Sequence, residues 1–238
     1  TRQAFALVAA VLAAVLAGPA SGAAAIHYER LSHPRLLISS QELPLVRAWL
    51  NVPGSDNQRL FSLWHAYLRT ELLKAGTIGS GVLTDGYLDD IAAMYLLGGG
   101  GVIEDAALFG DAAVRIAMWT ARNGKQQGSA GSGLGGGSTL ALAYDWCYDR
   151  FTAAQRDTLR GCLARAASLN RSAGGQWYWY HVYRHEYSLA IVDDADVYTW
   201  HAGQSGEESF SNAQIRSWFE EYSADLQDGY IPCLNQVA

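Results

Sequence analysis

Apolar residues recur along most of this chain at intervals of three and four, the spacing that gives a helix one buried face. Ser39 and Glu42 form an S-x-x-E capping box ahead of Leu43, Val46 and Leu50, which predicts a first helix ended by Pro53-Gly54. From Asp56 to Ala75, the residues Leu60, Leu63, Trp64, Tyr67, Leu68 and Leu72 predict a longer helix with a broad apolar stripe, closed by Gly76. A third helix fits Thr84 to Leu97 and stops at Gly98-Gly99-Gly100-Gly101, and a fourth carries Ala106, Ala113, Ile116 and Ala117 as far as Asn123-Gly124. Leu140, Ala143, Tyr144, Trp146 and Cys147 mark a fifth that ends near Phe151, and a second capping box at Thr152 and Gln155 opens a sixth, with Leu159, Leu163, Ala166 and Leu169 inward. The stretch after Gly174-Gly175 predicts a seventh helix to about Ile191. Asn212 is the expected cap of an eighth, with Ile215, Trp218, Phe219, Tyr222 and Leu226 on its apolar face.

No segment shows sustained strand alternation, and 193–211 reads as an acidic polar loop. Helices of similar length joined by short loops predict an all-α chain of antiparallel helical hairpins. The run Gly128–Gly137 is rich in glycine and serine but lacks the lysine of a phosphate loop, so it reads as a mobile connection.

The first 25 residues stand apart. Arg2, the apolar run Ala4–Ala17 and the small residues ending at Ala25 have the order of a secretory signal peptide, with the helical domain following over 26–238. That predicts a periplasmic or extracellular location. The chain is also expected to be incomplete at its C-terminus. Three cysteines, Cys147, Cys162 and Cys233, have no metal-ligand spacing; Cys147 and Cys162 lie on consecutive helices, where pairing and simple burial are both open. The sequence predicts no metal and no cofactor.

A formal charge of −6 argues against non-specific nucleic-acid binding. Its distribution is uneven. Residues 150–185 hold six arginines against the single acid Asp157, whereas 186–238 hold ten acids and only Arg216. An anionic ligand is steered toward the first segment, although arginines on the solvent face of a helix account for many of these charges.

Candidate chemistry concentrates in 177–187, where six of the 27 aromatic residues and two of the six histidines fall together. Trp177, Trp179, Tyr180 and Tyr183 offer flat faces for the apolar sides of sugar rings, or for core packing. His181 and His185 are suited to proton transfer near neutral pH, Arg184 to gripping a carboxylate, and Glu186 to hydrogen bonding hydroxyls. Asp145 and Asp149 share one side of the fifth helix, where anchoring of a helix or loop is the first expectation. His33 is expected to fix the N-terminal segment, His65 to sit in or beside the core, and His201 to be solvated.

Two segments carry a family resemblance. His33-Pro34-Arg35-Leu36-Leu37-Ile38 with Glu42-Leu43, and Leu140–Asp149 with the capped start Thr152–Arg156, resemble the heparinase II/III-like polysaccharide lyases, which include related alginate lyases. The aromatic-histidine stretch falls where those proteins carry a catalytic segment. The resemblance spans roughly residue 26 to the end. It implies an incomplete (α/α) toroid, ordinarily followed by a β-sandwich, and β-elimination on a uronic-acid polysaccharide without a cofactor. By that resemblance His181 is the residue at the sugar carboxylate. Val182 stands where the family has asparagine, so Arg184 or His185 is the alternative there. Tyr144 and Asp145 lie in the matching central helix and join the substrate-binding candidates. The family's catalytic tyrosine falls beyond residue 238; Tyr222 and Tyr230 read as packing residues.

Two other functions compete. Helical toroids also carry glycosidases, which place two carboxylates about 5 to 9.5 Å apart, and Asp145, Glu186 and Asp193 are available acids. A non-catalytic glycan-binding domain is the third.

Overall fold

The computed structural model describes residues 32–74, 87–123, 139–169, 177–201 and 206–225, with the side chains of 74, 123, 177–183 and 222–225 outside that description. The expected signal segment 1–25, the glycine-serine run 128–137, Tyr230 and Cys233 all lie outside the described residues.

Eight α-helices and one two-stranded sheet make up the described chain: α1 (Leu43–Leu50), α2 (Asp56–Lys74), α3 (Leu88–Gly98), α4 (Ala106–Asn123), α5 (Thr139–Trp146), α6 (Ala153–Leu169), α7 (Trp177–Ile191), β1 (Val197–His201), β2 (Glu207–Ser211) and α8 (Asn212–Asp225). A single 3₁₀ turn, Tyr148–Arg150, joins α5 to α6. The architecture is therefore predominantly helical. Neighbours in sequence pack together, α3 on α4, α6 on α7 and α7 on α8, and α5 packs against α3 and α7. Leu88, Ile91 and Met94 from α3, Phe109 and Ile116 from α4, Leu140 from α5 and Leu159 and Leu163 from α6 form the deepest core. Each such side chain stabilises the fold by about 1.5–3 kcal/mol on leaving water.

Local signals act as the sequence predicts at two helix starts. Ser39 N–H donates to Glu42 Oε2 (2.9 Å) and Glu42 N–H to Ser39 Oγ (3.2 Å), and the Thr152–Gln155 box repeats the exchange at 2.8 and 3.3 Å. The glycine run after α3 has a packing reason as well. Arg47 of α1 donates to the Leu96 carbonyl (Nη2, 2.6 Å), capping α3, and a Cβ on Gly99 would sit 2.6 Å from that guanidinium.

Three expectations are corrected. First, 193–211 is not all loop: β1 pairs antiparallel with β2, from Val197 opposite Ser211 to His201 opposite Glu207. The β-branched and aromatic run Val197-Tyr198-Thr199-Trp200 favours a strand, and its support is tertiary, because β1 lies on α6. Gly161 permits that approach, since a Cβ there would meet the Thr199 carbonyl oxygen at 2.0 Å. Second, Asn212 does not cap α8. Ser211 does so with Gln214 (Ser211 N–H to Gln214 Oε1, 2.8 Å; Gln214 N–H to Ser211 Oγ, 3.2 Å), while the Asn212 amide binds Asp193 (2.7 Å). Third, the apolar stripe of α2 is only half buried: Phe61 and Leu68 face the core, but Leu63 is 61% exposed and Tyr67 50%. This helix packs on α1 and α3, which cover one side of the broad stripe. Cys147 and Cys162 are buried free thiols rather than a pair.

Candidate functional site

Helix α7 carries the candidate stretch on a continuous helical backbone, with position 181 one turn before 184 and 185. The side chains of Trp177, Trp179, Tyr180, His181 and Tyr183 lie outside the described residues. Those of Arg184, His185, Glu186 and Tyr187 are described, and the first two turn toward α8. The Arg184 guanidinium is buried 5.1 Å above the Trp218 ring, with Nη1 3.3 Å from Glu221 Oε2. The His185 imidazole stacks on Phe219 at 4.9 Å between centroids and 23° between planes. Burial pushes its pKa down to about 4, against a smaller opposing effect of a hydrogen bond to the Phe219 backbone. At neutral pH His185 is thus an uncharged imidazole. Glu186 is half-buried and Tyr187 fully buried.

A second constellation forms where α5, the N-terminal segment and the end of α7 meet. Asp145 is buried (1% exposed) and its carboxylate holds the chain around Arg35. The Arg35 N–H donates to both oxygens (2.9 and 2.7 Å), the Leu36 N–H to Oδ2 (2.8 Å), and His33 Nδ1 lies 2.5 Å from Oδ1. The adjacent Trp146 indole N–H donates to the Leu36 carbonyl at 2.9 Å. Asp194, three residues beyond α7, closes the other side: it accepts from Arg35 Nη2 (2.8 Å) and the Tyr144 hydroxyl (2.5 Å), and both its oxygens lie 3.3 Å from His33 Nε2. Arg35 Nη1 donates to the Val192 carbonyl (2.7 Å) and Arg160 Nη1 to that of Asp194 (2.7 Å).

The electrostatics follow from this geometry. Burial disfavours charge on His33, yet its hydrogen bonds to Asp145 and Asp194 outweigh that and raise its pKa above the ordinary 6.5. Burial likewise opposes ionisation of Asp194, but the bond from His33 and the charge of Arg35 hold its carboxyl below the usual range. Burial, then the negative charge of Asp194, drives the Tyr144 hydroxyl far above an ordinary tyrosine, so it remains a donor. Of the substrate-binding candidates, Tyr144 and Asp145 therefore stand in this interior cluster, where both oxygens of Asp145 are engaged by the protein itself. Asp193, another candidate acid, binds Arg216 and Asn212 at the surface.

The cluster fixes the C-terminal end of α7 against α5 and α6. His181 lies ten residues before Ile191, about 15 Å along the same rigid rod. Orientation of the candidate helix is thus set by residues distant from it in sequence. Sequence reasoning passed over Arg35 and Asp194 as parts of this assembly; the usable signal was a His-x-Arg pair near one end of the chain and consecutive aspartates after a helix.

Elsewhere, His65 Nε2 lies 2.7 Å from Asp105, which also accepts from Arg69 Nε at 2.9 Å, and His201 is exposed beside Glu207. Among the described residues no group of His, Cys, Asp or Glu is arranged to hold a metal ion, and no helix is long and apolar enough to cross a membrane. No protein-family model matches this chain, and no curated protein or solved structure does so.

Proposed function

We propose that this chain is the (α/α) toroid-type helical domain of a secreted polysaccharide lyase, periplasmic or extracellular, acting on a uronic-acid-containing polysaccharide by β-elimination. One observation carries the reading. The two segments that resemble the heparinase II/III-like lyases, about 110 residues apart, are interlocked: Asp145 binds the backbone of Arg35 and Leu36, and Trp146 binds the Leu36 carbonyl.

β-Elimination requires the uronate carboxylate to be neutralised, the neighbouring carbon-bound proton removed, and the departing glycosidic oxygen protonated. Donors aimed at the carboxylate acidify that carbon by stabilising the developing negative charge. In this reading His181 takes that role, and Trp177, Trp179, Tyr180 and Tyr183 give the sugar rings stacking faces. Arg184 already faces Glu221 and Trp218 on α8, so it organises the helix pair. His185, stacked on Phe219 and held by burial far below the pKa of an efficient base at neutral pH, packs the same helix pair. The test is to assay a full-length protein on alginate and heparin-type polymers, following ultraviolet absorbance of the unsaturated product. His181→Ala is expected to abolish product with the helical circular dichroism intact. Wild-type turnover by that variant overturns the assignment of His181. Hydrolytic, saturated products overturn the lyase reading itself.

A further inference from the structure

The cluster around His33 has a second consequence, independent of the lyase reading. Both ring nitrogens of His33 face carboxylates: Nδ1 lies 2.5 Å from Asp145 Oδ1, and Nε2 lies 3.3 Å from each oxygen of Asp194. A neutral imidazole carries one N–H and one lone pair, so it serves one carboxylate and repels the other; only an imidazolium donates to both. Charge balance gives the same answer. Among the described residues the buried set holds two carboxylates and, besides His33, one guanidinium directed at them, that of Arg35, which binds Asp194. Arg160 reaches only the Asp194 carbonyl and directs its other arm to Asp157. The groups around the ring complete the set. Tyr144 approaches its edge and donates to Asp194, and Tyr148 stacks on it at 3.9 Å, with Arg156 4.8 Å over the outer face of Tyr148. None of these supplies another counter-charge to Asp145, whose remaining bonds come from backbone N–H groups.

We propose that His33 is a protonation-gated latch, which clamps the 33–38 segment onto α5 and the end of α7 as an imidazolium and loosens that segment when it loses a proton. The linkage has a definite sign. His33 is held above its ordinary value of 6.5 in the folded protein, so its contribution is complete below that pH and is lost as pH rises through the folded value. Deprotonation leaves a net buried negative charge, and the side with least compensation, Asp145, is the one that grips Arg35 and Leu36. Leu36 and Ile38 stay anchored in the core, so the loosening is local to the polar contacts at the Arg35 and Leu36 amides. Below the folded value of His33 the grip on the 33–38 segment is complete, and as pH rises through that value the grip loosens.

The experiment uses the full chain labelled with ¹⁵N-histidine. Long-range ¹H–¹⁵N correlation reads the protonation of each ring nitrogen; His33 is identified by its contacts to the Tyr148 ring and by loss of the signal in His33→Gln. At pH 6.5, where an ordinary imidazole is half protonated, both nitrogens of His33 are expected to carry protons. A spectrum with one protonated and one bare nitrogen at that pH overturns the imidazolium, whatever the variant does. Amide exchange then tests the gate in the wild-type protein. As the His33 signal titrates to neutral, protection of the Arg35 and Leu36 amides is expected to fall severalfold relative to amides inside α5. Protection that stays in constant ratio through that titration overturns the latch even with a charged ring.

Discussion

Replacing Asp145 by asparagine isolates the charge of the buried hub while keeping its volume. The native carboxylate accepts three backbone contacts, two from Arg35 N–H and one from Leu36 N–H, in addition to His33. An asparagine offers one acceptor oxygen and an NH₂ on the other side, so either the Leu36 N–H or the His33 ring loses its partner, while the Arg35 N–H keeps one. An unsatisfied buried donor costs about 1–3 kcal/mol, and removing one member of a buried ion pair about 3–5 kcal/mol. The two descriptions overlap, so the expected loss is about 3–5 kcal/mol in total. For a chain of this size that corresponds to a fall in Tm of roughly 6 to 20 °C. Urea unfolding followed by circular dichroism, near neutral pH, measures it. Asp149→Asn, in the 3₁₀ turn that follows the same helix, is the control: Asp149 is exposed and accepts from the Tyr95 hydroxyl (2.7 Å), so its replacement is expected to cost about 1 kcal/mol or less. A double variant with His33→Gln is expected to be strongly non-additive, because both changes break one network. A loss below about 1 kcal/mol for Asp145→Asn would refute the reasoning, since it would mean that the carboxylate charge does not anchor the segment.

Three further outcomes follow from the packing and burial. Gly161→Ala is expected to destabilise by about 1–3 kcal/mol, although alanine ordinarily favours a helix, because the added Cβ meets the Thr199 carbonyl on β1; unchanged or increased stability in denaturant unfolding would show that β1 does not lie there. His185, with a folded pKa of about 4, binds its proton more readily when unfolded, so its contribution is present above 6.5 and declines as pH falls toward 4. Comparing His185→Phe with wild type across that interval should flatten this part of the stability curve, and parallel curves would contradict the burial. Cys147 is fully buried and burial pushes its thiol well up, so a thiol reagent at neutral pH is expected to modify it only at the rate of unfolding. Rapid labelling in native buffer, located by peptide mapping, would contradict this.

The helices were legible in the chain because each rests on a local period, and two of them also on local caps. Ser39 with Glu42 and Thr152 with Gln155 act within four residues, and Leu88 to Met94 or Leu159 to Leu163 need only a common face. The anchoring role of Asp145 was legible for a similar reason: an acid between Tyr144 and Trp146 on an apolar helix has to be satisfied by the protein if it is buried. What it would bind was not written there. His33, Arg35 and Asp194 are brought to Asp145 across 112, 110 and 49 positions, and no local pattern states which donors will meet a given carboxylate. β1 was missed because its five residues are a weak strand alone and gain their support from β2 and from α6, through the space left at Gly161. The same limit applies to α2, whose stripe predicted a helix correctly but not which half of it would find a partner. Sequence alone therefore determined where the chain coils and which side chains are apolar, since those depend on neighbours one turn away. Tertiary structure decided which charges share the interior, which aromatic faces meet and how the end of α7 is held, because the cost of burying a charge is settled only by the groups that fold against it.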